Sequence, residues 1–191
     1  MKPKEILSQH LYGETYLGFD KNYLNKIESS IELFRRGNVN GRVVSNNSFG
    51  WQSDMLPEDG VFLNLTQSIL KKIFLFCKEI DQLKFSTVTL QGFWANINYP
   101  GDINWSHNHA GDISGVYYIN THKNCGDLIL ESFNFNPNNK ISACLRSINV
   151  KTIVPENDKL VVFDSMCFHR VLKNMSDKPR ISLSFNVGLD D

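Results

Sequence analysis

At 191 residues the chain is long enough to bury roughly 70% of the surface its unfolded form exposes, so folding requires neither a disulfide nor a structural metal. Its 20 basic and 20 acidic residues cancel and form no Lys/Arg stripe, which argues against a module that grips duplex nucleic acid by neutralising phosphates. The cysteines (Cys77, Cys125, Cys144 and Cys167) contain no CxxC pair, no charged-then-apolar leader opens the chain, and apolar runs such as IFLFC fall short of the roughly 20 residues of a membrane span, so a reducing cytoplasm and no membrane partner are expected.

Two helices are predicted in the first half. Leu24, Ile27, Ile31 and Phe34 recur at three- or four-residue spacing, and Leu65, Ile69, Ile73, Phe76 and Ile80 repeat the habit, as expected of amphipathic helices laid on a flat surface. The segment between them, GRVVSNNSFGWQSDMLPEDG (41–60), is rich in Gly, Asn, Ser and Pro and reads as loop. From residue 86 the period changes. STVTLQGFWANINYP, DISGVYYIN, GDLILESF, SINVKTIVP, DKLVVFDS and RISLSFNVGL are short runs rich in Val, Ile, Phe and Tyr, separated by turn residues. Strands at such intervals predict a mainly β fold, an antiparallel sandwich or jelly roll, with the helices buttressing one sheet. No repeat or linker divides the chain, so one domain is expected over 1–191, with helices and loop to about residue 85 and the jelly-roll core from about residue 86.

The chemistry-bearing residues cluster in the second half. His107 and His109 are two residues apart at the start of a strand-like run, where positions i and i+2 share a face and would present two imidazoles together. On their own such residues are more often solvated or satisfied within a core. His169, just after another apolar run, is a third that a jelly roll could bring alongside. If a hairpin turn centres on Asn174 and Met175, Arg180 sits opposite His169, and Arg180, Ser182 and Ser184 share one face. A guanidinium fork with a hydroxyl beside it is a carboxylate receptor, although an edge-strand arginine is the ordinary alternative. His10 and His122 have no partner at ligand spacing and are expected at the surface. Trp51 and Trp105 are expected in the core or at a rim, and Cys167 as a buried structural thiol.

Taken in order, HNH, SGVYYIN, FDSMCFH and RISLSFN resemble the iron(II)- and 2-oxoglutarate-dependent oxygenases, in particular the small members found in bacteria and phages. SNNSFGWQSD (45–54) is similar to a segment near their start, and the resemblance runs from about residue 41 to 188. Within it, YYIN and YPG resemble prolyl hydroxylases, and NINYPG, ending six residues before His107, resembles nucleic-acid demethylases of the alkylation-repair type. The resemblance implies a double-stranded β-helix (jelly roll) and a dioxygenase that uses Fe(II), 2-oxoglutarate and O₂. Such an enzyme releases succinate and CO₂ while hydroxylating a C–H bond of a protein, nucleobase or small molecule.

Carried onto this sequence, the resemblance makes His107, His109 and His169 the metal ligands. Arg180 holds the distal carboxylate of the co-substrate, helped by Ser182 and Tyr118. Asn96 and Asn98 occupy inward positions of the preceding strand, and Asn186 reaches toward the metal-proximal carboxylate. The chain departs from the pattern in one respect: most relatives have His-x-Asp or His-x-Glu where this one has His-x-His. Asp112 could supply the missing carboxylate in place of one histidine, and three imidazoles also suit Zn(II). A cupin-like metal enzyme that does not use oxoglutarate, and a non-catalytic jelly-roll binding module, stay open as alternatives. Selectivity is expected in loops 41–60 and 133–146.

Overall fold

The structure is a computed structural model that describes residues 1–6, 10–44, 47–134 and 147–191. Cys144, most of the 133–146 loop and the first two residues of SNNSFGWQSD lie outside the described residues.

Helix α1 (Lys21–Gly37) begins where the Asp20 carboxylate accepts the Tyr23 backbone N–H at 2.8 Å, satisfying one of the amides that have no partner within the helix. Its apolar stripe buries Leu24, Ile27 and Ile31, as the spacing predicts. Phe34, expected on the same stripe, sits at its edge and remains 42% exposed, touching Phe62 with ring centroids 6.3 Å apart. Helix α2 (Leu63–Cys77) follows a single 3-10 turn at Gly60–Phe62 and buries Leu65, Ile69, Ile73 and Phe76. Ile80 lies beyond its end, partly buried against the same core. By length and composition alone the run Gly60–Cys77 is apolar enough to cross a bilayer, contrary to the reading of its short apolar runs. Its inward face is instead part of the main core.

Eleven strands form among the described residues: β1 (Lys4–Ile6), β2 (His10–Tyr16), β3 (Trp51–Gln52), β4 (Thr87–Asn98), β5 (Asn104–His107), β6 (Ile113–Asn120), β7 (Leu128–Asn134), β8 (Ser147–Ile153), β9 (Lys159–Asp164), β10 (Phe168–Val171) and β11 (Arg180–Asp190). They make two antiparallel sheets, a larger one in the order β1-β2-β9-β6-β11-β4-β3 and a smaller one in the order β5-β10-β7-β8. This is the predicted jelly roll. The six apolar runs after residue 86 are β4, β6, β7, β8, β9 and β11. The segment before residue 85 is not only helix and loop. There β2 pairs with β9 and β3 with β4, extending the larger sheet at both ends.

The two helices cover the outer face of the larger sheet, where Phe93, Ala95 and Ile97 of β4, Tyr117 and Ile119 of β6 and Ile181, Leu183 and Phe185 of β11 meet them in one core. A second cluster, including Tyr118, Leu128, Leu130, Val161 and Phe163, fills part of the space between the sheets. Because successive side chains on a strand alternate faces, burying the odd residues of β11 under the helices turns Arg180, Ser182, Ser184 and Asn186 inward to the space between the sheets. Register does the rest. Strand β11 lies between β4 and β6, with Asn98 opposite Arg180, and with Asn96 and Tyr118 flanking Ser182 on either side.

The expected hairpin between His169 and Arg180 does not form. Strand β10 pairs with β5 and β7, and β11 with β4 and β6, so residues 172–179 carry the chain from the smaller sheet to the larger. Within that crossover Asn174 spans the gap: its side-chain amide donates to the Asn98 carbonyl at 3.0 Å and to the Lys178 carbonyl at 2.9 Å. A two-residue turn would have kept both strands in one sheet. The eight-residue passage places them on facing sheets.

Truncating the α2 stripe tests this packing. Ile69→Ala, at a side chain 1% exposed, is expected to lower the unfolding free energy by about 2–5 kcal/mol in urea titrations. Leu33→Ala on the outer side of α1, 66% exposed, should change it by less than about 0.5 kcal/mol.

Candidate active site

Three imidazoles meet at one end of the space between the sheets. His107 closes β5 and pairs directly with His169 on β10. His109 lies beyond the end of β5, so strand alternation is not what sets it beside His107. Its backbone N–H donates to the Ser165 carbonyl at 3.0 Å, and its ring stands edgewise to Trp94 with centroids 5.9 Å apart. The three ring centroids are separated by 4.2–5.1 Å, and one potential ligand atom from each ring lies within 4.8 Å of the others.

Backbone carbonyls orient two of the rings. His107 Nδ1 is 2.7 Å from the Trp105 carbonyl and His169 Nδ1 is 3.0 Å from the Cys167 carbonyl. An oxygen that can only accept makes each Nδ1 the protonated nitrogen, which leaves the Nε2 lone pair for a metal. Burial disfavours the charged form of all three. It pushes the His169 pKa down to about 3 and the His109 pKa to about 4, in both cases with help from neighbouring His107, and lowers that of His107 as well. Neutral imidazole is the ligating form.

Arg180 faces the same cavity from the larger sheet and is 2% exposed. One terminal nitrogen donates to the Gly126 carbonyl at 2.7 Å and more weakly to that of Cys125, while the other donates to Asn98 Oδ1 at 2.7 Å. Gly126 has φ +95°, and a Cβ there would collide with the Leu172 carbonyl, so the close seat of the guanidinium on this turn requires glycine. The buried Nε has no hydrogen-bond partner, and no carboxylate among the described residues lies within ion-pair distance. Burial lowers the arginine's proton affinity, partly offset by Tyr118. A guanidinium taken out of water and answered only by neutral oxygens is a receptor for an anion.

The structure brings the remaining predicted residues to this cavity of about 570 Å³, which Tyr118, Ser182, Asn96, Asn98 and Asn186 all line. Asn96 donates to Ser184 Oγ and Asn98 to Asn104 Oδ1, each at 2.9 Å. Asn186 Oδ1 accepts from Ser114 Oγ at 2.9 Å, and Ser114 in turn meets Ser165. Asp112 is not part of the cluster: it is exposed and its carboxylate caps the Leu189 backbone N–H at 2.8 Å, and the group of potential ligands is His107, His109 and His169. His10, expected at the surface, is partly buried and pairs with Asp164 at 2.6 Å, and neither it nor His122 belongs to a metal-ligating group among the described residues. Trp51 is a core residue donating to the Asn38 carbonyl, Trp105 is 59% exposed, and Cys167 is a buried thiol pushed up to about 12 by burial. Sequence reasoning missed Arg42, Gln52 and Trp94, which also line the cavity. Trp94 follows the inward alternation of Asn96 and Asn98 and was findable; Arg42 and Gln52 depend on how an irregular segment folds back.

The sequence pattern of the family described as "Putative 2OG-Fe(II) oxygenase" matches residues 92–186, the stretch that holds every ligand candidate above. The chain belongs to the 2OG-Fe(II) oxygenases. It is accordingly an oxidoreductase that uses Fe(II), 2-oxoglutarate and O₂. The fold of this oxygenase is similar to that of a prolyl-4-hydroxylase from Pseudomonas putida (TM-score 0.65, 14% identity, 94% of each chain covered). It is also similar to HygX from Streptomyces hygroscopicus, solved with nickel and 2-oxoglutarate (0.68, 9%, 93% of this chain and 82% of that one). A third similar structure is a prolyl hydroxylase from Trichoplax adhaerens in complex with a hypoxia inducible factor peptide (0.63, 15%, 92% and 83%). A search of curated proteins finds no significant match.

The residues of this oxygenase fit both groups. Three neutral nitrogen donors suit a ferrous ion, and the buried guanidinium, whose Nε is without a hydrogen-bond partner, suits a dicarboxylate. The depressed histidine pKa values have a consequence for the metal-free protein. Between pH 6.5 and about 4 the unfolded chain takes up protons that folded His169 and His109 exclude, so stability is complete above about pH 6.5 and falls as the solution is acidified. Thermal melts with chelator present should show this decline, and His169→Gln should flatten it.

Proposed function

We propose that this oxygenase hydroxylates a C–H bond of an organic substrate, with His107, His109 and His169 holding the iron and Arg180 holding the distal carboxylate of 2-oxoglutarate. When bound, the ferrous ion and 2-oxoglutarate supply the oxidising chemistry, consuming O₂ and releasing succinate and CO₂. The protein's own contribution is binding, orientation and exclusion of water.

The observation that carries this reading is Arg180: a buried guanidinium with no carboxylate in ion-pair contact among the described residues, facing the same cavity as three neutral imidazoles. Ser182 stands two residues along β11 on the same face, and Tyr118 lies opposite it on β6, so a hydroxyl and a phenol flank the seat of the carboxylate. Burial raises the Tyr118 pKa well above its usual range, which keeps the phenol a donor. Asn98 holds the guanidinium plane through Nη2, and Asn174 secures Asn98 in turn, so the fork is oriented before any ligand arrives. Asn186 presents its amide beside Ser114, where it can meet the carboxylate nearer the metal. Phe163 on β9 of the larger sheet, packed against His169 with ring centroids 4.7 Å apart, and Leu128 on β7 of the smaller one line the cavity and limit water at the metal.

No group in this arrangement is asked to act as a general base. The reaction it supports is oxidation, in which the polypeptide holds reactants and places a C–H bond.

His169→Ala is expected to abolish stoichiometric Fe(II) binding in anaerobic calorimetry, since it removes the most deeply buried ligand. Arg180→Ala should raise the 2-oxoglutarate concentration required for succinate release by at least roughly tenfold, the loss of a charge-assisted pair. Unchanged oxoglutarate turnover in both variants would refute the assignment.

A further inference from the structure

We infer that Arg42 binds an anionic group, a carboxylate or a phosphate, on the primary substrate; the inference rests on the oxygenase reading above and names the chemistry of that same site's second ligand. Arg42 enters the cavity from the segment before β3. Its backbone N–H donates to the Gln52 carbonyl at 2.8 Å, which fixes where the side chain starts. Its Nη2 donates to Gln52 Oε1 at 2.9 Å, and its guanidinium carbon lies 5.8 Å from the centre of the Trp94 ring.

The orientation of Gln52 is set by Arg42, whose guanidinium can only donate, and the amides below agree with it. Gln52 Nε2 donates to Asn96 Oδ1 at 2.9 Å, and Asn96 Nδ2 donates to Ser184 Oγ at 2.9 Å. This chain of amides has one direction, because each amide nitrogen must give and each oxygen accept. Gln52 therefore turns its oxygen to Arg42 and holds one nitrogen of the fork, leaving the rest of the guanidinium for the cavity. No carboxylate among the described residues lies within ion-pair distance of it. Both arginines that line the cavity thus lack an acidic partner.

Arg180 and Arg42 have different environments and different duties. Arg180 is fully enclosed behind Asn98 and Gly126, whereas Arg42 is half-exposed beside Trp94. Trp94 also contacts the His109 ring, so one indole touches both the Arg42 guanidinium and a candidate metal ligand. An anion seated on Arg42 would place the body of its molecule over the metal. The volume of about 570 Å³ falls in the roughly 300–1,000 Å³ range that encloses a drug-sized ligand, more than a five-carbon diacid occupies. Met55, beside Trp94 at Gly92, gives that remaining space an apolar wall.

Charge favours the same class of ligand. Three neutral imidazoles leave the double charge of a ferrous ion undiminished, and Arg180 adds another; a co-substrate dianion cancels two of these three. The remaining positive charge and Arg42 act together on whatever enters next.

The test uses phenylacetate and phenyl phosphate against their neutral counterparts, phenylacetamide and benzyl alcohol. Each is titrated by calorimetry into wild type, R42Q and R42K, both metal-free and loaded with Ni(II) and 2-oxoglutarate. At least one anion is expected to bind about tenfold more tightly than its neutral counterpart, the worth of a charge-assisted pair. R42Q should erase that ratio and R42K should retain part of it, a pattern that a purely structural role for Arg42 would not produce. Which anion shows the larger ratio identifies carboxylate or phosphate. If neither anion outbinds its neutral counterpart, or if the preference survives in R42Q, the inference is overturned. Failure of wild type to bind 2-oxoglutarate with Ni(II) strikes instead at the oxygenase assignment, and the metal-free titrations still decide the role of Arg42.

Discussion

The site depends on a cation kept out of water with no carboxylate in direct contact among the described residues. Arg180 is held by two backbone carbonyls and one side-chain oxygen, none of which carries a charge. Such an arrangement costs free energy in the empty protein, because neutral oxygens replace only part of the lost hydration. It persists because the surrounding structure over-determines it. Arg180 begins a strand inside the larger sheet, flanked by β6 and β4, Asn98 lies opposite it in register, and the Gly126 turn admits the guanidinium only for want of a side chain. A dianion that binds there relieves the cost, so it stabilises the folded state in proportion to its affinity. On the proposed assignment, the same excess positive charge at a fixed position is what receives the co-substrate.

The His-x-His sequence deepens this imbalance. A carboxylate among the ligands would remove one positive charge from the metal, and Asp112 was the residue positioned in sequence to supply it. The structure assigns Asp112 to the backbone of β11 instead, where it closes the loop that carries His109 back to the larger sheet. All three ligand candidates are then neutral, and their burial keeps them so. Imidazole softens a metal site less by charge than by donor type, so the ion keeps more of its attraction for anionic partners.

Much of this was legible in the sequence, for physical reasons that differ by element. The six strands after residue 86 and the two helices announce themselves by period, because each buries one face against a flat neighbour. Leu24, Ile27 and Ile31 are where a period of about 3.6 residues puts them. The inward set on β11 follows from alternation alone. Where inference failed, the deciding contact was between segments. His169 and Arg180 do share a cavity, but not as a hairpin pair: they face each other from different sheets. His109 joins His107 through a loop hydrogen bond to Ser165, not through a shared strand. Strands β1 and β2 were invisible because their few apolar residues show no clear period; their place is set by pairing with β9. Arg42 could not be found from its neighbours in sequence, since it becomes part of the cavity only when its segment folds against Gln52.

The division of labour between the two sheets explains how such a site tolerates change. The smaller sheet and the loop after β5 supply the imidazoles, and the larger sheet supplies the carboxylate seat, so the distance between metal and guanidinium is the distance between sheets. That spacing is fixed by side chains such as Leu130, Ile153 and Val161, which pack between them and have no part in the chemistry. The segment bearing Arg42 is different: apart from the β3 pairing it belongs to neither sheet, and its side chain is steered by one glutamine. Replacing that segment would alter what binds above the metal while leaving the imidazoles and the Arg180 seat in place. On the proposed assignment, chemistry is carried by the rigid layers and selectivity by the strand-poor connection, an arrangement that lets one scaffold serve substrates of unlike charge.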